Sequence, residues 1–304
     1  ERIVEDAAAL MGDKVEFARY ETTAADLALI AVASGDVTWI EQGDAYASEA
    51  AFSAAGVLAW QEIAHDAKQR RILVASTPDW TPRVVVDESD EAWWTLTYLE
   101  AGPRWSPDTE RFVFLSERDG WTHAYLLDVS DPGAEALPLT AGEFEVEEPA
   151  WSPDGRRLLL AANRGSLTER GLHLLEVPAD GEGRPDLEPI SRLRGTSTLG
   201  HWRPDGEAIA FLHADPVNPL DLWVQEPRPV VAEQLSDTWP DDAEEDELIA
   251  PQSVRFSSTD GELVPAQIFL PPDYDDLEGP VPVVVWVHGG GIRQNRYGWH
   301  PNRV

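Results

Sequence analysis

A motif that returns three times constrains this chain more than any other feature. Arg104-Trp105-Ser106-Pro107-Asp108 runs into Arg111-Phe112-Val113-Phe114-Leu115. Ala150-Trp151-Ser152-Pro153-Asp154-Gly155 runs into Arg157-Leu158-Leu159-Leu160-Ala161, and His201-Trp202-Arg203-Pro204-Asp205-Gly206 into Ala208-Ile209-Ala210-Phe211-Leu212. The tryptophans lie 46 and then 51 residues apart, and a degenerate copy, Phe52 to Trp60, begins 53 residues before Trp105. Each unit reads as an aromatic ending one strand, a tight turn in which Pro presets φ and Gly accepts a positive φ, and an apolar return strand. A second strand pair follows in every unit, at Ala124–Asp128, Leu172–Val177 and Asp221–Val224. Four short strands every ~45–50 residues is the signature of a β-propeller blade. Residues 1–247 are therefore predicted to form about five blades, the first around Val15 to Ile40.

The acidic run from Asp241 to Glu247 lacks periodicity and is predicted to be an exposed linker. Its spacing fits no calcium loop. Beyond it, Ser253–Glu262 and Val264–Pro272 read as a hairpin about the Asp260-Gly261 turn. Then Val281-Pro282-Val283-Val284-Val285-Trp286-Val287 enters His288-Gly289-Gly290-Gly291. So dense an apolar run predicts a strand buried on both faces of a parallel sheet. A His and three glycines at the end of such a strand form the pattern of an oxyanion-hole loop, where backbone N–H groups must come close to a reacting oxygen. Residues 248–304 are thus expected to open an α/β-hydrolase domain, and the fold class to be a β-propeller followed by the N-terminal part of that domain. With the partners of its sheet missing, the Val281–Val287 strand would leave an apolar edge exposed.

Charge excludes some partners. The chain has 56 Asp+Glu against 23 Lys+Arg, a net charge of −33, and this field repels nucleic acid and anionic membrane surfaces. Lys14 and Lys68 are its two lysines. Such a surface suits either a soluble protein of an arginine-preferring organism or adaptation to high salt, where screening relieves self-repulsion. The second reading predicts a melting temperature that rises steeply between low and molar salt; a flat melting curve series removes it. There is no Cys, so disulfides and thiolate metal sites are excluded. The first residue is Glu and no apolar stretch approaches ~18 residues, so neither a signal peptide nor a membrane span is visible. The compartment stays open, as does homo-oligomerisation.

Taken in order, the Trp-Ser-Pro-Asp units, Ser116-Glu117-Arg118-Asp119-Gly120-Trp121-Thr122-His123 with Tyr125, Leu139-Thr140-Ala141-Gly142, the Asp260-Gly261 hairpin and His288-Gly289-Gly290-Gly291 with Gln294-Asn295 resemble the prolyl oligopeptidase family of serine peptidases. The likeness is nearest to its dipeptidyl-peptidase-like and acylaminoacyl-peptidase-like branches. It implies a propeller that restricts an α/β-hydrolase site to short peptides, a Ser-Asp-His triad acting through an acyl-enzyme, and no cofactor. The nucleophile would sit in a Gly-x-Ser-x-Gly elbow, and none is present. Gly195-Thr196-Ser197-Thr198-Leu199 lacks the closing glycine. No catalytic residue is therefore assigned; the triad is expected downstream of residue 304, and the 304 residues alone are expected to be inactive.

The remaining candidates are oxyanion-hole residues: His288, Gly289 and Gly290. Relatives carry Tyr at the first of these, so backbone N–H groups of the glycines are the expected donors. The same family clamps a substrate amino group with paired glutamates on an insertion; Glu147-Glu148, three residues before Trp151, is read instead as surface. His65, His123, His173, His201, His213 and His300 lack ligand spacing, so no metal site is assigned. Trp105, Trp151 and Trp202 are read as blade core. Two other functions stay open: a non-catalytic propeller scaffold, and an esterase with the same oxyanion loop.

Overall fold

The computed structural model describes residues 27–40, 45–92, 102–107, 110–179, 183–228, 231–239, 248–277, 279–289 and 294–299. Four consecutive four-stranded antiparallel meanders dominate it. The first sheet comprises β3 (Ala45–Phe52), β4 (Leu58–Ala64), β5 (Gln69–Ala75) and β6 (Arg83–Ser89). The second comprises β7 (Arg104–Trp105), β8 (Arg111–Ser116), β9 (His123–Asp128) and β10 (Leu137–Pro138). The third comprises β11 (Val146–Trp151), β12 (Arg157–Ala162), β13 (Gly171–Glu176) and β14 (Glu188–Pro189). The fourth comprises β15 (Thr196–Trp202), β16 (Ile209–Ala214), β17 (Asp221–Gln225) and β18 (Ala232–Gln234). A hairpin, β1 (Ala28–Ile30) with β2 (Val37–Trp39), precedes them. Of the five expected blades, four are complete sheets and this hairpin stands where the first was placed; residues 15–26 lie outside the described residues. Among the described residues there is no α-helix, and no helix is long and apolar enough to cross a membrane.

The return strands explain why the sheets stack. Alternate residues of a strand face opposite sides. In β8, Phe112 and Phe114 pack with Ala59, Ile72 and Val74 of the first sheet, whereas Val113 and Leu115 pack with Val146, Leu158 and Leu160 of the third. In β12, Leu158 and Leu160 face back to the second sheet, and Leu159 and Ala161 face forward to Ile209 and Phe211 of the fourth. A strand sandwiched between two sheets must be apolar on both faces, so these strands read as unbroken apolar runs. First strands of successive sheets touch one another. The fourth strands of the last three sheets are two or three residues long, short edges that resist pairing with other chains.

The turns form as expected. At Ser152-Pro153-Asp154-Gly155, the Ser152 hydroxyl donates to Asp154 (2.6 Å) and accepts from the Arg157 amide (2.9 Å), while Gly155 takes φ +67. Gly206 likewise takes a positive φ, +74. Two of the motifs behind the family resemblance touch: the His123 ring lies 2.9 Å from Thr140 Oγ1 and 3.0 Å from the Gly142 carbonyl oxygen.

The repeat tryptophans do more than fill core. They are half-buried, and each indole N–H donates to a backbone carbonyl of the preceding sheet: Trp105 to Ala51, Trp151 to Arg104 and Trp202 to Ala150. Each acceptor is the residue just before the preceding unit's aromatic, so one spacing in the sequence repeats as one contact in space.

The hairpin β19 (Gln252–Ser257) and β20 (Leu263–Ile268) forms around Gly261 (φ +91) as predicted. The Val281–Val287 strand does not. It has no strand assignment, and Val283, Val284, Val285 and Val287 are 78–91% exposed. A strand exists only through hydrogen bonds to a neighbour, and among the described residues β19 and β20 pair with each other alone. In place of the expected parallel strand there is an exposed segment outside any sheet, and the α/β-hydrolase part of the fold-class expectation is not formed by the described residues.

Candidate functional site

The loop begun by His288 and one end of the third and fourth sheets are the places where candidate residues lie. His288 and Gly289 are exposed; Gly290 and Gly291 lie outside the described residues. A Cβ placed on Gly289 would meet nothing within 4 Å, so the backbone there is open to approach.

Five residues beyond Gly289, the segment 294–299 is seated on the sheet ends opposite the Ser-Pro-Asp-Gly turn of β11. The Tyr297 amide donates to the Thr168 carbonyl (2.7 Å), and Gln294 Nε2 donates to the Leu167 carbonyl (2.7 Å). Thr196 Oγ1 donates to the Tyr297 carbonyl (3.2 Å), and the Arg194 guanidinium lies 5.1 Å from the Tyr297 ring centre. Trp299 meets Trp239 edge to face at 5.9 Å.

A charged cluster anchors this segment. Arg296 Nη2 reaches both Glu147 oxygens at 2.8 Å. Arg170 Nε donates to Glu147 Oε1 (3.0 Å), and its Nη2 donates to Gln294 Oε1 (3.0 Å). Glu145 lies 3.8 Å from Arg170. Two cations and two carboxylates balance, which offsets the cost of an Arg170 side chain only 2% exposed. Burial pulls the Arg170 pKa down against the opposing pull of Glu147. Burial also lifts the Glu145 carboxyl above its usual range, with Arg170 opposing.

Glu147 and Glu148 are thus not the surface residues expected from sequence. Both are half-buried, and Glu147 holds two arginines. Glu148 occupies a β-bulge of β11 at φ +55 and accepts from Thr198 Oγ1 (2.5 Å) and the Leu199 amide (2.6 Å) of the fourth sheet. Glu49, in the corresponding bulge of β3 at φ +52, accepts from the Gly102 amide at 3.0 Å. Gly102 is tightly seated there, since a Cβ would lie 2.7 Å from Glu49 Cβ. Both glutamates sit three residues before their unit's aromatic and tie one sheet to the next. Neither is placed as a free clamp for a substrate amine.

Sequence reading missed Arg170 and Arg296. One signal was available: an Arg at the entry to the third strand, Arg70 in one unit and Arg170 in another, ahead of a run apolar on both faces. An arginine held so close to buried strands needs acidic partners.

The structure also brings Ser197 Oγ to 2.9 Å from His213 Nδ1. The pair arises because the two residues lie opposite each other in the β15–β16 register. Ser197 is 0% exposed and His213 5%, and burial lowers the His213 pKa and favours the neutral ring, against the nearby Asp215 carboxylate. A hydroxyl with no access for a substrate is a satisfied core pair, not a nucleophile. Among the described residues, no group of His, Asp and Glu is arranged to hold a metal ion.

Comparison with known proteins agrees with the sheet architecture. The family model for the dipeptidyl peptidase IV (DPP IV) N-terminal region matches residues 18–185, more than half of the chain. An uncharacterized peptidase of Bacillus subtilis, YuxL, is 43% identical over 63 residues, covering 21% of this chain and 9% of that protein. A dipeptidyl peptidase 4 of Porphyromonas gingivalis superposes with TM-score 0.66 at 17% identity, over 82% of this chain and 35% of that one. A putative dipeptidyl aminopeptidase IV of Bacteroides ovatus superposes with TM-score 0.71 at 16% identity, over 90% of this chain and 41% of that one. The chain therefore spans well under half the length of each.

Proposed function

The chain belongs to the dipeptidyl peptidase IV N-terminal region family, within the prolyl-oligopeptidase-type peptidases, and from that premise we propose that it is the propeller and hydrolase entry of a serine peptidase acting on short peptides. In this reading residues 1–247 belong to the propeller and residues 248–304 open the α/β-hydrolase domain. A serine outside these 304 residues attacks the peptide carbonyl, a histidine takes its proton, and water later releases the acyl-enzyme. The Gly289 and Gly290 amides, in the loop begun by His288, receive the oxyanion of the tetrahedral intermediate. The propeller limits substrates by size.

The observation that supports the reading most is the seating of residues 294–299 on the sheet ends. Because Gln294 follows Gly289 by five residues, this seating limits how far the glycine loop can lie from the ends of the third and fourth sheets.

The test uses a fluorophosphonate probe with aminoacyl and peptidyl chromogenic substrates. The 304-residue chain takes up no probe and cleaves nothing; the full-length protein labels at one serine and cleaves peptides. Stoichiometric labelling of a serine within the 304 residues overturns the assignment of the nucleophile. A full-length protein that hydrolyses esters but not peptides overturns the peptidase reading.

A further inference from the structure

We propose that residues 294–299 are a strap latched to the propeller by Glu147, and that this latch positions the oxyanion loop. The second half rests on the function proposed above; the first does not. The strap has two kinds of hold. Backbone and amide contacts run from Tyr297 to Thr168 and from Gln294 to Leu167. They are short, but any chain could make and break them against water at little net gain. The charged hold is different. Arg296 meets both oxygens of Glu147 through one nitrogen, Nη2, a charge-assisted contact stronger than a neutral hydrogen bond. Glu147 is itself held by Arg170, which is buried and whose second nitrogen orients Gln294. The strap is thereby tied to a group that cannot move without exposing a buried cation.

The consequence runs along the chain. Gln294 is five residues from Gly289, so with its end held the Gly289 amide can lie at most about 18 Å away. An oxyanion hole works because its donors are already aimed before charge develops. Glu147 is then a positioning residue: it touches no substrate but limits where the Gly289 amide can lie. In this arrangement the propeller acts on the reaction as well as on access.

The experiment is hydrogen–deuterium exchange on the full-length protein and its Arg296→Met, Arg296→Lys and Gln294→Leu variants, with kinetics on the same samples. Arg296 is 31% exposed, so its replacement leaves the sheets folded where Glu147→Gln would strand Arg170. Exchange at Tyr297 is expected to rise about tenfold or more in Arg296→Met, with β12 and β13 amides unchanged. Arg296→Lys is expected to restore part of the protection, and kcat to fall about tenfold in Arg296→Met with KM nearly constant. Unchanged exchange at Tyr297 in both Arg296→Met and Gln294→Leu overturns the latch. Faster exchange with unaltered kcat overturns its positioning role. If the wild-type protein cleaves nothing, the peptidase reading fails, while the exchange measurement still decides the latch.

Discussion

Arg70→Ala is expected to lower stability by about 3–5 kcal/mol, the usual loss when one member of a buried ion pair is removed. Arg70 is 0% exposed. Its Nε donates to Gln61 Oε1 (3.2 Å), and its Nη1 reaches Glu88 Oε2 (3.3 Å) and the Leu115 carbonyl of the next sheet. Arg70 and Glu88 lie directly opposite in the β5–β6 register, so the pair is imposed by strand alignment. Glu88 also accepts from Ser116 Oγ (2.6 Å) and pairs with Arg118, both of the second sheet. Removing Arg70 therefore leaves a carboxylate only 8% exposed with part of its charge uncompensated, and it unties two sheets at once. Arg70→Lys will recover little, because one ammonium cannot serve three acceptors in the plane of a guanidinium. The double variant Arg70→Met/Glu88→Leu will recover only part of the loss, since it removes the stranded charge but takes hydrogen-bond partners from Gln61, Leu115 and Ser116. Urea denaturation checks this through the midpoint at constant m. A loss below about 1 kcal/mol for Arg70→Ala would show that the cluster is solvated and not structural.

The sheets were legible in the sequence because their physical cause is local and repeated. A turn needs Pro and Gly at fixed positions, and a strand between two sheets must be apolar on both faces. Phe112-Val113-Phe114-Leu115 and Leu158-Leu159-Leu160-Ala161 announce that without any knowledge of neighbours. The sheet-to-sheet ties were not legible. Trp151 bonding to Arg104, or Glu148 to Leu199, joins residues 47 and 51 positions apart, and no local pattern names the acceptor. The spacing of the units did hold that information: once Trp105 is known to reach Ala51, the other two contacts follow from the repeat.

Glu147-Glu148 shows where local reading fails. Two adjacent carboxylates in a strand resemble solvated surface, because strand alternation would turn at least one outward. The bulge at Glu148 breaks the alternation and turns both toward partners, and a bulge in an otherwise regular strand leaves little trace in composition. Val281–Val287 fails for the opposite reason. Its composition is that of a buried strand, yet burial is supplied by neighbours and not by the segment itself, and no described strand lies beside it. Local chemistry sets what an element requires; the rest of the fold decides whether the requirement is met.

The same distinction governs the largest effect expected on activity. In the full-length protein, Gly289→Pro is expected to reduce kcat by about 10²–10³, the usual result of deleting one oxyanion donor. Proline removes the backbone N–H, but it also fixes φ and restrains His288 before it, so Gly289→Ala serves as the control for loop shape. Because a Cβ on Gly289 meets no atom within 4 Å, Gly289→Ala keeps the donor without a clash and is expected to stay within about tenfold of wild type. His288→Ala leaves every loop amide in place and is expected to cost less than Gly289→Pro. The order Pro far below Ala, with KM nearly constant, is the one expected of a donor that acts in the transition state. Equal losses in Gly289→Pro and Gly289→Ala would mean that the loop needs glycine for its shape. The comparison of the two variants would then no longer support the Gly289 amide as the donor.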